Sequence, residues 1–490
     1  MDRIEAPPRL KAASPARIAA LPQVRTELVL VALFTVAGAA LRLLMLGTPA
    51  LWTDEAFQAV VAAKPIHELL TIVAHDSAPP LSYLLVHFAT QLFPTTAGVR
   101  LVSALAGCAV VPLGAALGRR LGGPRAAVVG AALLAVLPAE VLISRDARMY
   151  APAAALVLAS LLALLRCVDK PTPGRFAVWA VCAAAGLYTH YFVALALAAQ
   201  VIAVWALLRH DAAFIARTVL AGAAAALLLL PWVLVALPQL VHLSAPFWVP
   251  PLTSGRLQEL PVQLMNGSVV SPQGLVGMAI HDLRLATVSA LFLGLGALFW
   301  TRRVSREAAV LMIAAILPLL LLALVSLRKP VFEPRYLEPL WQPLLPVVAV
   351  GLARLRWQAL IALALLPLVI TSVLVTATLP NADVPVVLAG VPAQLTAGDQ
   401  VVTSGSQYYF PVYYYGGAAV RSRLRIAGWP VRWYDGSAAL PPGAYIGAIA
   451  PSSGTLYLFG NQHYWAKVPA GYRLRSTRCD GDICLRVFDS

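Results

Sequence analysis

Charge is what this chain lacks. Of its 490 residues only 12% are Asp, Glu, Lys or Arg, whereas 60% are hydrophobic, and the mean hydropathy is +0.78. Soluble globular domains carry about twice that charge, so the composition excludes one and demands many bilayer spans. Acids are scarcer still: 22 Asp and Glu stand against 37 Lys and Arg, a formal net charge of +15. No nucleic-acid-binding motif interrupts the apolar runs, so nucleic acid is set aside as a partner. In a polytopic protein, surplus basic residues decorate cytoplasmic loops and contact anionic membrane lipids. The chain shows no internal repeat and no tight ligand spacing of the kind that marks a metal site. Cysteines number five. Cys108, Cys167 and Cys182 fall in or beside apolar runs, where a small buried thiol is ordinary. Cys479 and Cys484 are neighbours in a polar tail, where a local disulfide would fit an oxidising compartment.

What is present is a succession of apolar runs, each near the roughly 20 residues that cross a bilayer. They lie at 28–47, 100–118, 126–143, 149–166, 176–189, 191–208, 218–238, 284–300, 308–326, 337–353 and 357–378, eleven expected spans. Arg3, Arg9, Lys11, Arg17 and Arg25 precede the first run, which is too long for a signal-peptide core and lacks a convincing cleavage site. It reads as a retained anchor, with residues 1–27 a basic cytoplasmic N-terminus. Threading from there puts Arg119/Arg120/Arg125, Arg166/Lys170/Arg175, Arg209/Arg217, Arg302/Arg303/Arg306 and Arg354/Arg356 on the cytoplasmic side, as the positive-inside rule requires.

Residues 80–93 are apolar but too short to cross. Leu81, Leu84, Leu85, Phe88 and Leu92 form one helical stripe and Tyr83, His87 and Gln91 another, the pattern of a helix lying in the interface. The expected plan is an all-α polytopic domain over 28–379, with external loops at 48–99, 144–148 and 239–283. A small C-terminal α/β or β-rich soluble domain over 380–490 follows. That tail alternates strand-like runs at 445–450, 455–459 and 483–488 with Gly/Pro turns, and carries Tyr408, Tyr409, Tyr413, Tyr414 and Tyr415.

Acids near hydrocarbon are costly and tend to mark function. Trp52-Thr53-Asp54-Glu55 follows the first span directly. A helix starting at Thr53 explains the two acids almost as well, since carboxylates complement the positive end of a helix dipole. Asp76 sits before the rigid pair Pro79-Pro80, where a turn-forming Asp is the plain alternative. Ser144-Arg145-Asp146-Ala147-Arg148-Met149-Tyr150 and Arg328-Lys329-Pro330-Val331-Phe332-Glu333-Pro334-Arg335-Tyr336 put basic residues on the wrong side for the positive-inside tendency. Each needs an anionic partner, either Asp146 or Glu140 nearby or a phosphate held in an arginine fork. His190, between Tyr188 and Tyr191 at a junction of two spans, is a candidate substrate contact, although a lone His is more often structural.

With these residues in view the chain resembles the GT-C superfamily of polytopic glycosyltransferases, in particular the bacterial branch related to protein O-mannosyltransferases and lipid A aminoarabinose transferases. The likeness runs over about 28–200, through Leu51–Ala56, Ala78-Pro79-Pro80-Leu81, Arg100–Gly107 and Ser144–Ala151, with Arg335-Tyr336 and Pro339 similar to a later external motif. The resemblance implies periplasmic juxtamembrane helices and transfer of a sugar from a polyprenyl-phosphate donor to a lipid, polysaccharide or protein acceptor. It further implies a bacterial inner-membrane location. Asp54 matches the family's first-loop acid, the proposed base or acceptor-positioning group; Asp54 is expected here as the base and Asp76 as an acceptor-orienting acid. Arg145, Arg148 and Arg335 are the expected phosphate clamp, and Glu55, Asp146, Tyr150, His190 and Tyr336 are further substrate-binding candidates. Many relatives carry Lys before the Pro pair where this chain has Ala78, so that phosphate contact must come from arginine. No cofactor is certain from the sequence, and Asp54, Asp76 and His75 could support a divalent metal ion. A transporter or flippase of a lipid-linked sugar is the alternative, and the near absence of charge inside the spans disfavours it.

Overall fold

In hydrocarbon every backbone N–H and C=O must find its partner within the segment, so long apolar runs become helices. The structure, a computed structural model, describes residues 15–242, 245–267, 274–301, 304–378 and 384–490. Arg3, Arg9, Lys11, Arg302 and Arg303 of the expected basic flanks lie outside the described residues. The chain runs from α1 (Pro15–Leu43) through the short α2 (Thr53–Ala62), α3 (Ile66–Ala74) and α4 (Leu81–Leu92) into α5 (Thr96–Val136). Next come α6 (Pro138–Ser144), α7 (Tyr150–Asp169), α8 (Pro173–Thr189), α9 (Val193–Leu207) and α10 (Ala212–Val235). A long loop carrying α11 (Ser254–Asn266) leads to α12 (Gly274–Trp300), α13 (Arg306–Ser326), α14 (Pro334–Trp341), α15 (Leu344–Ala353) and α16 (Gln358–Thr378).

Among the described residues seven helices are long and apolar enough to cross a membrane. All eleven expected runs fall on helices, but helix length and hydropathy do not divide the chain alike. Runs 100–118 and 126–143 lie on α5 and α6, and α5 reverses at Gly123, whose φ of 76° is left-handed and favours glycine. Its arms return side by side: a Cβ on Gly114 would collide with Leu134, and one on Gly118 would stand 2.7 Å from the Ala126 carbonyl. Runs 176–189, 191–208 and 337–353 meet α8, α9 and α15, of only 17, 15 and 10 residues.

The basic loops gather at one end. Arg119 pairs with Glu27 at 2.6 Å, and Arg120 holds Asp169 at 2.6 Å and Glu307 at 2.7 Å. Arg125 donates to the Leu355 carbonyl at 2.7 Å, Arg217 to that of Pro171 at 3.1 Å, and Arg354 to Thr301 Oγ1 at 2.7 Å. The opposite end holds α2 to α4, the 145–149 turn and Arg335. There α4 buries Tyr83 and His87 and leaves Leu85, Phe88 and Leu92 exposed, so its apolar stripe is the one offered to lipid.

The tail folds as an α/β unit on a six-stranded sheet. β1 (Gln400–Thr403), β2 (Leu424–Ala427), β3 (Tyr445–Gly447), β4 (Leu456–Gly460), β5 (Arg473–Asp480) and β6 (Ile483–Asp489) lie in the order β3-β2-β1-β4-β6-β5. The first four pair in parallel, whereas β6 is antiparallel to both neighbours. Val401, Val402 and every residue of β4 are buried, as central strands covered on both faces require. Cys479 and Cys484 face each other across β5 and β6 and form a disulfide. The tyrosine-rich segment is a helix, Ser406–Tyr415, that packs against α2, with Phe410 edge-on to Phe57 at 5.0 Å.

Candidate functional site

The acid-bearing helix α2 is fixed from three sides. Its N-cap is Trp52 and not the Thr53 hydroxyl, which donates to the Gln407 carbonyl of the C-terminal unit at 2.6 Å. The Leu51 N–H donates to the Tyr415 hydroxyl at 2.8 Å. Glu55, 1% exposed, takes Arg100 Nε and Nη2 in a fork at 2.6 Å each, and the Ala147 N–H at 2.9 Å. Arg100 spends its remaining donors on the carbonyls of Leu46, Pro49 and Ala50. Glu55, expected to touch substrate, is thus occupied by protein donors and ties α2 to α5 and to the 145–149 turn.

Asp54 is different. Its side chain is 34% exposed, and one oxygen takes Arg335 Nη1 at 3.1 Å. Arg335 lies between two indoles, 5.6 Å from the Trp52 ring centre and 4.6 Å from that of Trp248, and 3.8 Å from Glu333. A guanidinium stacked in this way gives up little solvation while keeping its edge free for an anion. Glu333 in turn holds Arg256 at 3.0 Å, which fastens the 239–283 loop beside Arg335. Sequence reasoning did not single out Trp248, Arg256 or Glu333 as parts of the site. Only their location in external segments was visible, and their pairing joins residues 77 positions apart.

Arg148 is the second cation. It is buried, its Nε has no partner, and it sits within electrostatic reach of Tyr83, Asp54, Tyr150 and Asp146. Buried polar atoms are nearly always satisfied, so an unpartnered guanidinium nitrogen beside Asp54 invites an anionic ligand. Asp146 takes the Trp52 indole N–H at 3.0 Å, and burial together with the Glu55 charge pushes its carboxyl up to about 7. Asp76, also buried, takes the Tyr83 hydroxyl at 3.2 Å; burial raises its carboxyl, and Arg148 opposes the shift. His190 is pushed down to about 4 by burial and by Arg148, so it stays neutral at pH 7. Its ring packs with Tyr150 and Tyr336, at 6.0 and 6.1 Å between ring centres. Tyr150 and Tyr336 themselves lie 6.2 Å apart.

Most of the expected residues therefore converge, and Arg145 does not. Its guanidinium donates to the carbonyls of Leu41, Arg42, Leu44 and Met45, closing the end of α1 instead of clamping phosphate. The orphan carbonyls of a helix C-terminus are a favourable sink for arginine, and that local demand outweighs the expected ligand. His75 bonds the Thr71 carbonyl at 2.9 Å within its own helix. Among the described residues no three of His, Cys, Asp and Glu form a group that could hold a metal ion.

Residues 77–237 match the family model of the dolichyl-phosphate-mannose-protein mannosyltransferases. That match takes in Arg148, Tyr150 and His190 and ends before the Trp248–Arg335 side of the site. No curated protein matches the sequence significantly. Among solved structures, ArnT from Cupriavidus metallidurans in the apo state aligns with TM-score 0.64 at 13% identity, over 97% of this chain and 98% of that one. The same protein bound to undecaprenyl phosphate aligns with TM-score 0.64 at 14% identity, over 93% and 97%. The archaeal oligosaccharyltransferase AglB from Archaeoglobus fulgidus, in complex with an inhibitory peptide and a dolichol-phosphate, gives TM-score 0.52 at 12% identity, over 79% of this chain and 63% of that one.

Proposed function

We propose that this chain, a multi-pass membrane protein with the fold of the GT-C glycosyltransferases, transfers a sugar from a polyprenyl-phosphate carrier to an acceptor hydroxyl. The observation that carries the reading is the meeting of the Asp54–Arg335 pair with the buried Arg148, whose Nε has no partner, at the end of the bundle remote from the basic loops. By the positive-inside rule that end is extracytoplasmic, the periplasmic side of a bacterial inner membrane. The oligoprenyl phosphates bound by the structural relatives, undecaprenyl phosphate in ArnT and dolichol-phosphate in AglB, support a donor of that class.

A carrier phosphate is already a fair leaving group, so the protein mainly has to stabilise charge that develops on its oxygens. Arg335 and Arg148 supply that stabilisation. The Asp54 carboxylate takes the acceptor's proton as the acceptor oxygen bonds to the anomeric carbon. The electron pair of the broken bond leaves on the phosphate, and attack from the opposite face inverts the centre. Asp76, raised by burial and held by Tyr83, orients the acceptor, while neutral His190 with Tyr150 and Tyr336 lines the sugar's position. Purified protein in liposomes, given a labelled polyprenyl-phosphate sugar and an acceptor mixture, tests this. Asp54→Asn is expected to cut release of carrier phosphate by about 100-fold or more with unchanged melting. Full activity in that variant removes Asp54 from the role. Movement of the lipid across the bilayer without phosphate release makes the protein a flippase.

A further inference from the structure

A cavity of about 290 Å³ runs between α8, α9 and α10, from Trp179 and Trp205 toward the basic end of the bundle to Leu187 and Ala194 toward the opposite end. Its walls include Trp179, Leu197, Trp205, Thr218 and Gly222 and are mostly apolar. Two features separate it from ordinary loose packing. Both indoles have a buried Nε1–H without an acceptor, and Trp179 as a residue is only 3% exposed. Gly222 keeps the space open, since a Cβ there would first meet the Trp179 ring, at 3.8 Å.

Depth and charge name the chemistry. Trp179 is six residues from the start of α8, or about 9 Å at 1.5 Å per residue, and Trp205 is two residues from the end of α9. That is the level at which glycerolipid esters lie and tryptophan is enriched. Around the same end stand Arg166, Lys170, Arg175 and Arg217, none in an ion pair among the described residues, whereas Asp169 and Asp211 are taken by Arg120 and Arg209. We propose that this cavity binds one acyl chain of an anionic glycerophospholipid, whose ester carbonyls accept from Trp179 and Trp205 and whose phosphate faces the arginine rim. A polyprenyl phosphate would fill the space equally well, but its acceptors are all on the phosphate and it has no ester carbonyls to offer the two indoles. The assignment stands whether or not the chain transfers sugar.

Native mass spectrometry of the full-length protein in mild detergent tests it, with phosphatidylglycerol, phosphatidylcholine and undecaprenyl phosphate as probes. Phosphatidylglycerol is expected to form a one-to-one adduct and to raise the melting temperature. Phosphatidylcholine, with the same esters and no net charge, should bind more weakly. Gly222→Leu, which fills the cavity, should abolish the adduct. Trp179→Phe and Trp205→Phe, which keep the ring and remove the donor, should each weaken it about fivefold, one hydrogen bond's worth. An adduct unchanged in all three variants overturns the proposal. So does undecaprenyl phosphate binding that equals that of phosphatidylglycerol and is lost in Gly222→Leu.

Discussion

Replacing Arg100 by Met probes the tie that holds α2, the helix of the proposed base Asp54. In the folded protein Arg100 and Glu55 form a two-pronged pair, 3% and 1% exposed, and Arg100 also serves the carbonyls of Leu46, Pro49 and Ala50. Truncating one partner leaves a buried carboxylate unpaired, which costs about 3–5 kcal/mol. Unfolding entropy near 60 °C is about 2.1 cal/mol/K per residue, hence about 1 kcal/mol/K for a chain of this length. The melting temperature of Arg100→Met should therefore fall by about 3–5 °C, read by differential scanning fluorimetry in detergent. Transfer should fall further, by about 100-fold, because Asp54 is the neighbour of the released Glu55 and a 1 Å displacement is enough for such a loss. Glu55→Met with Arg100→Met should lose about 2–3 kcal/mol less than the sum of the two single variants, since the unpaired charge is then gone. Additivity within about 0.5 kcal/mol, or an Arg100→Met protein melting with wild type, refutes the claim that this pair positions the site.

Asp146 gives a pH test. Its carboxyl is raised to about 7 by burial and the Glu55 charge, so between about pH 4 and 7 the unfolded chain gives up a proton that the folded one keeps. Folding is opposed increasingly over that window and fully above it. Asp146→Asn should melt with wild type near pH 4 and higher than wild type at pH 8, and equal melting at pH 8 would contradict the burial argument. Arg335→Lys keeps the charge but loses the planar group stacked between Trp52 and Trp248; transfer kinetics should show a drop of about tenfold or more in kcat/KM. Phe410→Ala removes the ring packed edge-on to Phe57 of α2. It should lower both the melting temperature and the transfer rate, because a large core deletion costs about 3–5 kcal/mol.

Legibility followed the range of the interaction. Strands β3, β4 and β6 were visible as short apolar runs, and the apolar segments as helices, because hydropathy and turn residues act locally. The return of α5 at Gly123 was legible as well, because Arg119, Arg120 and Arg125 separate the runs 100–118 and 126–143 and turn the chain there; the close approach of Gly114 to Leu134 and of Gly118 to Ala126 was not. Strands β1 and β2 were missed because each carries only two or three apolar residues, whereas β3 opens the longer apolar run 445–450. Within the site, the candidate residues were legible as acids and arginines in the wrong place, but their partners were not. Arg145 and Arg148 look alike in the sequence, three positions apart. One spends its terminal nitrogens on the open carbonyls after α1, and the other lies buried among the carboxylates and phenols of Asp54, Asp146, Tyr83 and Tyr150.

The same logic separates Asp54 from Glu55. Adjacent positions on a helix point about 100° apart, so one of two neighbouring acids can face the protein while the other faces the cleft. Glu55 meets Arg100 on α5 and the Ala147 N–H, and burial makes that contact rigid. Among the described residues Asp54 forms its ion pair with Arg335, whose segment is held by the 239–283 loop through Arg256 and Glu333. Asp54, the proposed base, and Arg335 thus come from helices braced independently, one by the C-terminal unit through Thr53 and Phe57, the other by an external loop. A donor phosphate entering between Arg335 and Arg148 has to compete with Asp54 for a shared guanidinium. Its arrival would loosen the Asp54–Arg335 pair and free the carboxylate at the moment an acceptor proton has to be taken.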